Sequence, residues 1–191
     1  MKTHDRIAFL TGHTALLCLP IESDLPLFTR WINDPEINRF LKHRMPILHA
    51  GEKKWFDSLA DRKNDVVLTL CTTAGRPIGV MGMHRIDWIN GTATTGAFIG
   101  EKSLWGKGYG SDAKMVLLNY AFNTLNLRKI CSRVYDFNGR SLAYSKKCGY
   151  REEGRLRKHV FRDGNYYDVI ELAVFKEDWL PFWKKYQRPV G

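Results

Sequence analysis

Trp105-Gly-Lys-Gly-Tyr-Gly-Ser111, preceded by Ala97-Phe-Ile-Gly100, is the stretch whose reading governs the rest of the chain. Gly106, Gly108 and Gly110 stand at alternate positions, and without a Cβ each lets the backbone turn sharply and approach a ligand. Behind them Ala113, Val116, Leu117, Tyr120 and Ala121 recur at i, i+3, i+4, i+7 and i+8, the apolar stripe of an amphipathic helix. Ahead of them residues 97–100 read as the end of a strand. Strand, glycine-rich turn and helix together present free N–H groups and the positive end of a helix dipole to an anion, a pyrophosphate being the best fit. A flexible surface loop has a similar composition, so two sharper rivals matter more. A Walker loop needs Gly-x-x-x-x-Gly-Lys-Ser/Thr, which is absent. A dinucleotide fingerprint needs glycine where Ser111 stands and an acid about twenty positions on, where Lys129-Ile-Cys-Ser-Arg133 has none.

At 191 residues the chain is long enough to bury a real core, and residues 1–191 read as a single domain. A composition 44% hydrophobic and 26% charged is globular rather than disordered. No apolar run approaches the ~20 residues that span a bilayer. The start, Met1 to Arg6, leads only into Ile7 to Leu10, too short for a signal-peptide core, so a cytoplasmic protein is expected. Cys18, Cys71, Cys131 and Cys148 are widely spaced, which favours free buried thiols over a metal site. Net charge is +10, favouring an anionic partner. The basic residues are dispersed instead of forming a run, so a dedicated nucleic-acid site is disfavoured.

Ile7 to Leu10 and Leu16 to Leu19 predict a hairpin. Ser23-Asp24 opens a helix with Leu27, Phe28, Trp31 and Ile32 as its apolar face, ended by Asp34-Pro35. Residues 40–48 read as irregular, with Arg39, Lys42, His43 and Arg44 making that region basic. Glu52 to Leu59 predicts a second helix bearing Trp55, Phe56 and Leu59. Val66 to Cys71, Ile78 to Ile86 and Thr92 to Ile99 read as adjacent antiparallel strands, the last two joined at Asn90-Gly91. Lys129 to Val134 predicts a half-buried strand, and Asn138 to Lys147 a helix stopped by Gly149. Tyr150, Val160-Phe161, Asp163-Gly164 and Tyr167 to Phe175 read as two closing strands around a turn. The result is an α+β domain with a mixed, mostly antiparallel sheet of about seven strands flanked by about four helices.

That order, with nine short segments in register, resembles the GNAT superfamily of acyl-CoA N-acyltransferases, and within it the branch of ribosomal-protein N-terminal acetyltransferases. The segments are Trp31-Ile-Asn-Asp-Pro35, Pro77-Ile-Gly79, Ile99-Gly-Glu101, Trp105 to Gly110, Tyr120-Ala-Phe122, Asn138-x-x-Ser141, Lys147-x-Gly149-Tyr150, Glu153-Gly154 and Gly164-x-Tyr166-x-Asp168. The resemblance covers residues 16–179 and implies a three-layer GNAT fold with acetyl-CoA as cosubstrate and no metal. It implies a pyrophosphate loop formed by Trp105, Gly106, Lys107, Gly108, Tyr109, Gly110 and Ser111. Trp105 holds the leading position that is Gln or Arg in many members. The resemblance also implies pantetheine pairing along Phe98, Ile99 and Gly100, and cofactor contacts from Asn138, Ser141 and Lys147. For Asn138, simple helix capping is an equal alternative.

The implied reaction is direct attack of a neutral amine on the thioester, which needs a proton acceptor, an oxyanion site and an acid for the thiolate. Many relatives place a tyrosine acid four residues before the glycine of Lys-x-Gly-aromatic. Here that position is Ser145, the first choice, with Tyr144 one residue earlier. Glu101 is the best-placed base, with Asp87 and His84 as backups, and Asp168 either holds a turn or serves the substrate side. The acceptor is read as a protein N-terminal amine. Alternatives are a small amine (amino sugar, polyamine, amino acid or aminoglycoside) and a catalytically silent acyl-CoA-binding module. A monomer or homodimer is expected, with no membrane partner.

Overall fold

A computed structural model of the chain describes residues 6–188. Met1 to Asp5, part of the segment read for a leader, lie outside the described residues. The order begins with β1 (Ala8–Thr11), β2 (Ala15–Cys18), α1 (Leu25–Asn33), α2 (Pro35–Asn38) and α3 (His49–Asp57). It continues with β3 (Val66–Thr72), β4 (Pro77–Asp87), β5 (Thr92–Ile99), α4 (Tyr109–Asn119) and β6 (Lys129–Tyr135). It closes with α5 (Gly139–Lys147), β7 (Arg151–Arg162), β8 (Asn165–Phe175) and α6 (Lys176–Tyr186). The eight strands form one sheet in the order β1-β2-β3-β4-β5-β6-β8-β7, and every pairing is antiparallel except β5 with β6. The sheet therefore has one strand more than expected, because both arms of the N-terminal hairpin join its edge. The helices exceed four because Asp34 caps a new turn at Pro35 through the Glu36 N–H (2.9 Å), and because the aromatic tail is helical.

Local chemistry explains the layers. In β4 and β5 alternate side chains face opposite ways. Val80 and Phe98 meet Phe28 and Trp31 of α1, whereas Met81 and Ile99 belong to the core under α4. The Trp31 ring lies where a Cβ on Gly100 would stand, so this glycine is needed for close packing. Thr69, Leu70 and Cys71 are buried in succession, the signature of a strand covered on both faces.

One expectation needs correcting. α4 is not amphipathic: Asp112 to Leu118 are all buried, because α4 lies on β2, β4 and β5 and is covered by α5 and α6. Trp179 of α6 is fully buried against Phe122 (centroids 5.2 Å), and Trp183 and Tyr186 stack outward from it. The tail covers the core.

Candidate active site

β5 and β6 pair only over Thr92–Thr94 and Lys129–Cys131, then separate. Thr95 Oγ1 donates to the Cys131 carbonyl (3.2 Å) and Ser132 Oγ to the Thr95 carbonyl (3.4 Å), clipping the strands at the point of divergence. Past the clip, β5 remains paired with β4 up to Ile99, but its other edge has no strand partner. An open strand edge offers N–H and C=O groups to an extended ligand. A cavity of about 620 Å³ fills this fork, lined on one side by Thr95 to Ile99 and on the other by Ser132 to Tyr135.

The glycine turn closes one part of the cavity. Gly106 and Gly108 have φ of 76° and 91°, the left-handed region that disfavours side chains, and a Cβ at either would meet only open space. Gly108 caps α4, whose first helical bond runs from the Asp112 N–H to the Gly108 carbonyl (3.0 Å). The N–H groups of Tyr109, Gly110 and Ser111 therefore have no acceptor within the helix. Trp105 fastens the turn to the strand by donating its indole N–H to the Ile99 carbonyl (2.7 Å). The Arg140 guanidinium lies 3.8 Å from the Trp105 ring centroid. These features form a preorganised anion cradle beside an extended slot, which fits the phosphate end and the amide-bearing arm of coenzyme A.

The opposite wall comes from distant parts of the chain. Ile37, Phe40, Leu41 and Lys42 line it together with His159 and Val160 of β7. Arg162, itself buried, donates to the Leu41 carbonyl (3.2 Å) and to the Tyr135 hydroxyl (2.9 Å). Arg39 pairs with Asp163 (3.4 Å) at the β7–β8 turn. The irregular basic segment is thus pinned to the closing hairpin.

The acetyltransferase (GNAT) domain model matches residues 16–151. The chain is 33% identical over 164 residues to the uncharacterised N-acetyltransferase p20 of Bacillus licheniformis, covering 82% of this chain and 89% of that protein. The chain belongs to the GNAT acetyltransferase family. A shorter match, 30% over 105 residues, links it to the putative ribosomal N-acetyltransferase YdaF of Bacillus subtilis, covering 55% of this chain and 57% of that protein. Another, 30% over 103 residues, links it to the spermidine N(1)-acetyltransferase of Vibrio cholerae, covering 54% of this chain and 59% of that protein. Among solved structures, spermidine N-acetyltransferase from Vibrio cholerae with CoA and spermine superposes with a TM-score of 0.81 at 22% identity, over 87% of this chain and 98% of that one. That likeness establishes the shared fold. As a GNAT acetyltransferase the protein is an acetyl-CoA-dependent N-acetyltransferase, and acetyl-CoA is its acetyl donor.

Of the expected site residues, Phe98, Ile99, Trp105, Gly106, Gly108, Gly110, Ser111, Asn138, Ser141, Tyr144 and Lys147 all line the cavity. Gly100, Lys107 and Tyr109 do not: Gly100 lies under Trp31, Lys107 is exposed, and Tyr109 packs toward the core. Asn138 caps α5, accepting the Ser141 N–H (3.1 Å), while also lining the cavity, so both of its readings hold geometrically.

The expected catalytic groups fare differently. Glu101 lies outside the cavity and turns toward Arg30 (3.5 Å), because β5 ends at Ile99 and the chain bends away. Ser145 is 1% exposed and its hydroxyl has no partner, so it faces the interior of the helix layer; Tyr144 takes the cavity side instead. Burial pushes the Tyr144 phenol well above its usual range, which keeps it protonated. His84 is within 3.5 Å of Asp65, and Asp87 accepts the Ile89 and Asn90 N–H groups in a tight turn. Asp168 holds the β7 bulge through the Lys158 N–H (2.8 Å) and Arg155 (3.2 Å). Sequence reasoning missed Thr95, Ser132, Arg85, Arg140 and His159; only Arg140, two residues past the helix cap, carried a local signal. Among the described residues no group of three or more His, Cys, Asp or Glu is placed to hold a metal ion, and no helix is long and apolar enough to cross a membrane.

Proposed function

We propose that the protein acetylates a small primary amine, with the acetyl-CoA arm lying in the β5–β6 fork and its pyrophosphate on the Gly106–Ser111 turn. Bound acetyl-CoA supplies the activated acetyl group. The neutral amine attacks the thioester carbonyl, a C–N bond forms, and the C–S bond breaks. The departing thiolate takes a proton from the Tyr144 hydroxyl, and the proton shed by the amine passes to water. Tyr144 replaces Ser145 in this role because its hydroxyl-bearing side chain lines the cavity and Ser145 does not. The free N–H groups at the start of α4 and the side chains of Arg140 and Lys147 neutralise the phosphates.

The observation that carries a compact acceptor is the pinned wall. Leu41 tied to Arg162, and Arg39 tied to Asp163, bring the basic segment against β7 and narrow the approach to the thioester. Similarity to enzymes named for spermidine supports the same reading over the protein N-terminus expected from sequence. The N-terminal reading retains one support, the relative named as a putative ribosomal N-acetyltransferase.

Thermal unfolding with and without acetyl-CoA, followed by a thiol-release screen over small amines and short peptides, tests this. Saturation at ~100 times the dissociation constant stabilises by about 2.7 kcal/mol. Gly108→Leu is expected to remove that shift, since a side chain strains the turn at φ 91° and stands in the cradle, while the variant stays folded because a Cβ there meets no core atom. A full shift in this variant, or faster turnover of peptides than of any small amine, refutes the respective half of the reading.

A further inference from the structure

The cavity lining is one-signed. Lys42, Arg85, Arg133, Arg140, Lys147 and His159 reach it, and among the described residues no aspartate or glutamate does. Arg133 is neutralised by Glu171 (2.8 Å). Lys42, Arg85, Arg140 and Lys147 enter no ion pair among the described residues. Arg140 and Lys147 stand on α5 beside the glycine turn, at the phosphate end of the site. That leaves Lys42 and His159 on the acceptor wall, and Arg85 of β4, which reaches the lining beside the base of the fork and donates to Thr94 Oγ1 (3.3 Å).

We infer that the acceptor is an amine that also carries a carboxylate or phosphate, and not a polyamine; the inference rests on the small-amine reading above. A polyamine brings further ammonium groups, and each needs a carboxylate or carbonyl cluster to replace its hydration. Here each would meet fixed positive charge across a partly desolvated cavity, where like-charge contact is costly. An acid group on the acceptor instead meets Lys42 and Arg85, whose fork can hold a carboxylate or phosphate in two hydrogen bonds. The arrangement also serves the chemistry. Surrounding cations disfavour the ammonium form of the acceptor and raise the fraction present as free amine, which accounts for a site with no carboxylate base on its walls.

The test is a matched set of acceptors at fixed acetyl-CoA: spermidine, benzylamine, glutamate and phosphoethanolamine, read by thiol release. The acid-bearing amines are expected to exceed benzylamine in kcat/KM by about tenfold or more, and to lose that advantage as KCl is raised. The better of glutamate and phosphoethanolamine identifies the acid. Lys42→Gln and Arg85→Gln are expected to raise KM for the acid-bearing amine about tenfold while leaving KM for acetyl-CoA unchanged. Preference for spermidine, or equal rates for benzylamine and the acids, overturns the inference and leaves the acetyltransferase reading standing. If acetyl-CoA binds but no amine turns over, the acceptor reading fails separately. Thermal shift of the CoA complex then decides the inference: stabilisation by phosphoethanolamine or glutamate sustains it, and stabilisation by spermidine alone overturns it.

Discussion

Tyr144 and Lys114 show how burial sets the character of single residues in this protein. Burial raises the Tyr144 phenol above its ordinary value, so it stays protonated even in alkaline solution. Tyr144→Phe is expected to lower kcat about 100-fold with KM for acetyl-CoA little changed, and Ser145→Ala to leave kcat near wild type. The reverse pattern would return the acid role to Ser145. Lys114 is fully buried, makes no hydrogen bond, and sits 5.7 Å from the Tyr144 ring and 5.6 Å from the Tyr150 ring. Desolvation pushes its amine down from 10.5 to about 8. Below pH 8 both folded and unfolded chains hold the proton and the folded state bears a buried charge. Between the folded value of about 8 and the unfolded 10.5 the unfolded chain binds more protons, so stability rises with pH across that window. Lys114→Met is expected to stabilise the protein at pH 7 by an amount on the order of 3 kcal/mol, the advantage shrinking above pH 8. Denaturant unfolding of both proteins across pH checks this; an advantage independent of pH would mean the amine is not desolvated as described.

Among the elements, α4 joins the glycine turn to the rest of the fold. Its Asp112 accepts the N–H groups of His13 (3.0 Å), Thr14 (2.9 Å) and Ala15 (2.8 Å) in the β1–β2 turn, and the Tyr186 hydroxyl (2.8 Å) from α6. One carboxylate thus ties the first hairpin and the last helix to the helix that carries the glycine turn. Asp112→Ala leaves the Thr14 and Ala15 N–H groups unpaired and His13 N–H with only the Tyr186 hydroxyl (3.3 Å), and is expected to cost on the order of 3–5 kcal/mol in denaturant unfolding, against about 1 kcal/mol for Tyr186→Phe. Equal effects of the two changes would show that the hairpin contacts contribute little. Much of this level was legible beforehand: the strand before Gly100, the turn at 106–110 and the capped helix at 138–147 follow from glycine placement and apolar period. The stripe assigned to α4 does face the core, but the solvent-facing polar side that it implied is buried as well. A period of 3.6 reveals the face that is always apolar, but says nothing of a helix whose polar positions are also covered by later elements.

At the scale of the molecule, a net charge of +10 and the cation-lined cavity attract an anionic acetyl donor. The association rate of acetyl-CoA in stopped flow is expected to fall roughly tenfold from low to high salt, with a smaller change in the off-rate. A salt-independent on-rate would confine the charge to a solubility role. By itself the sequence determined the fold class, the family and the position of the glycine turn, because glycines, caps and strand alternation act over a few neighbouring residues. Only the tertiary structure decided which side chains face the cavity. Glu101 and Ser145 turn away from it while Tyr144, Arg85 and His159 line it, since the fork between β5 and β6 and the pinning of Leu41 by Arg162 arise from contacts between residues far apart in the chain.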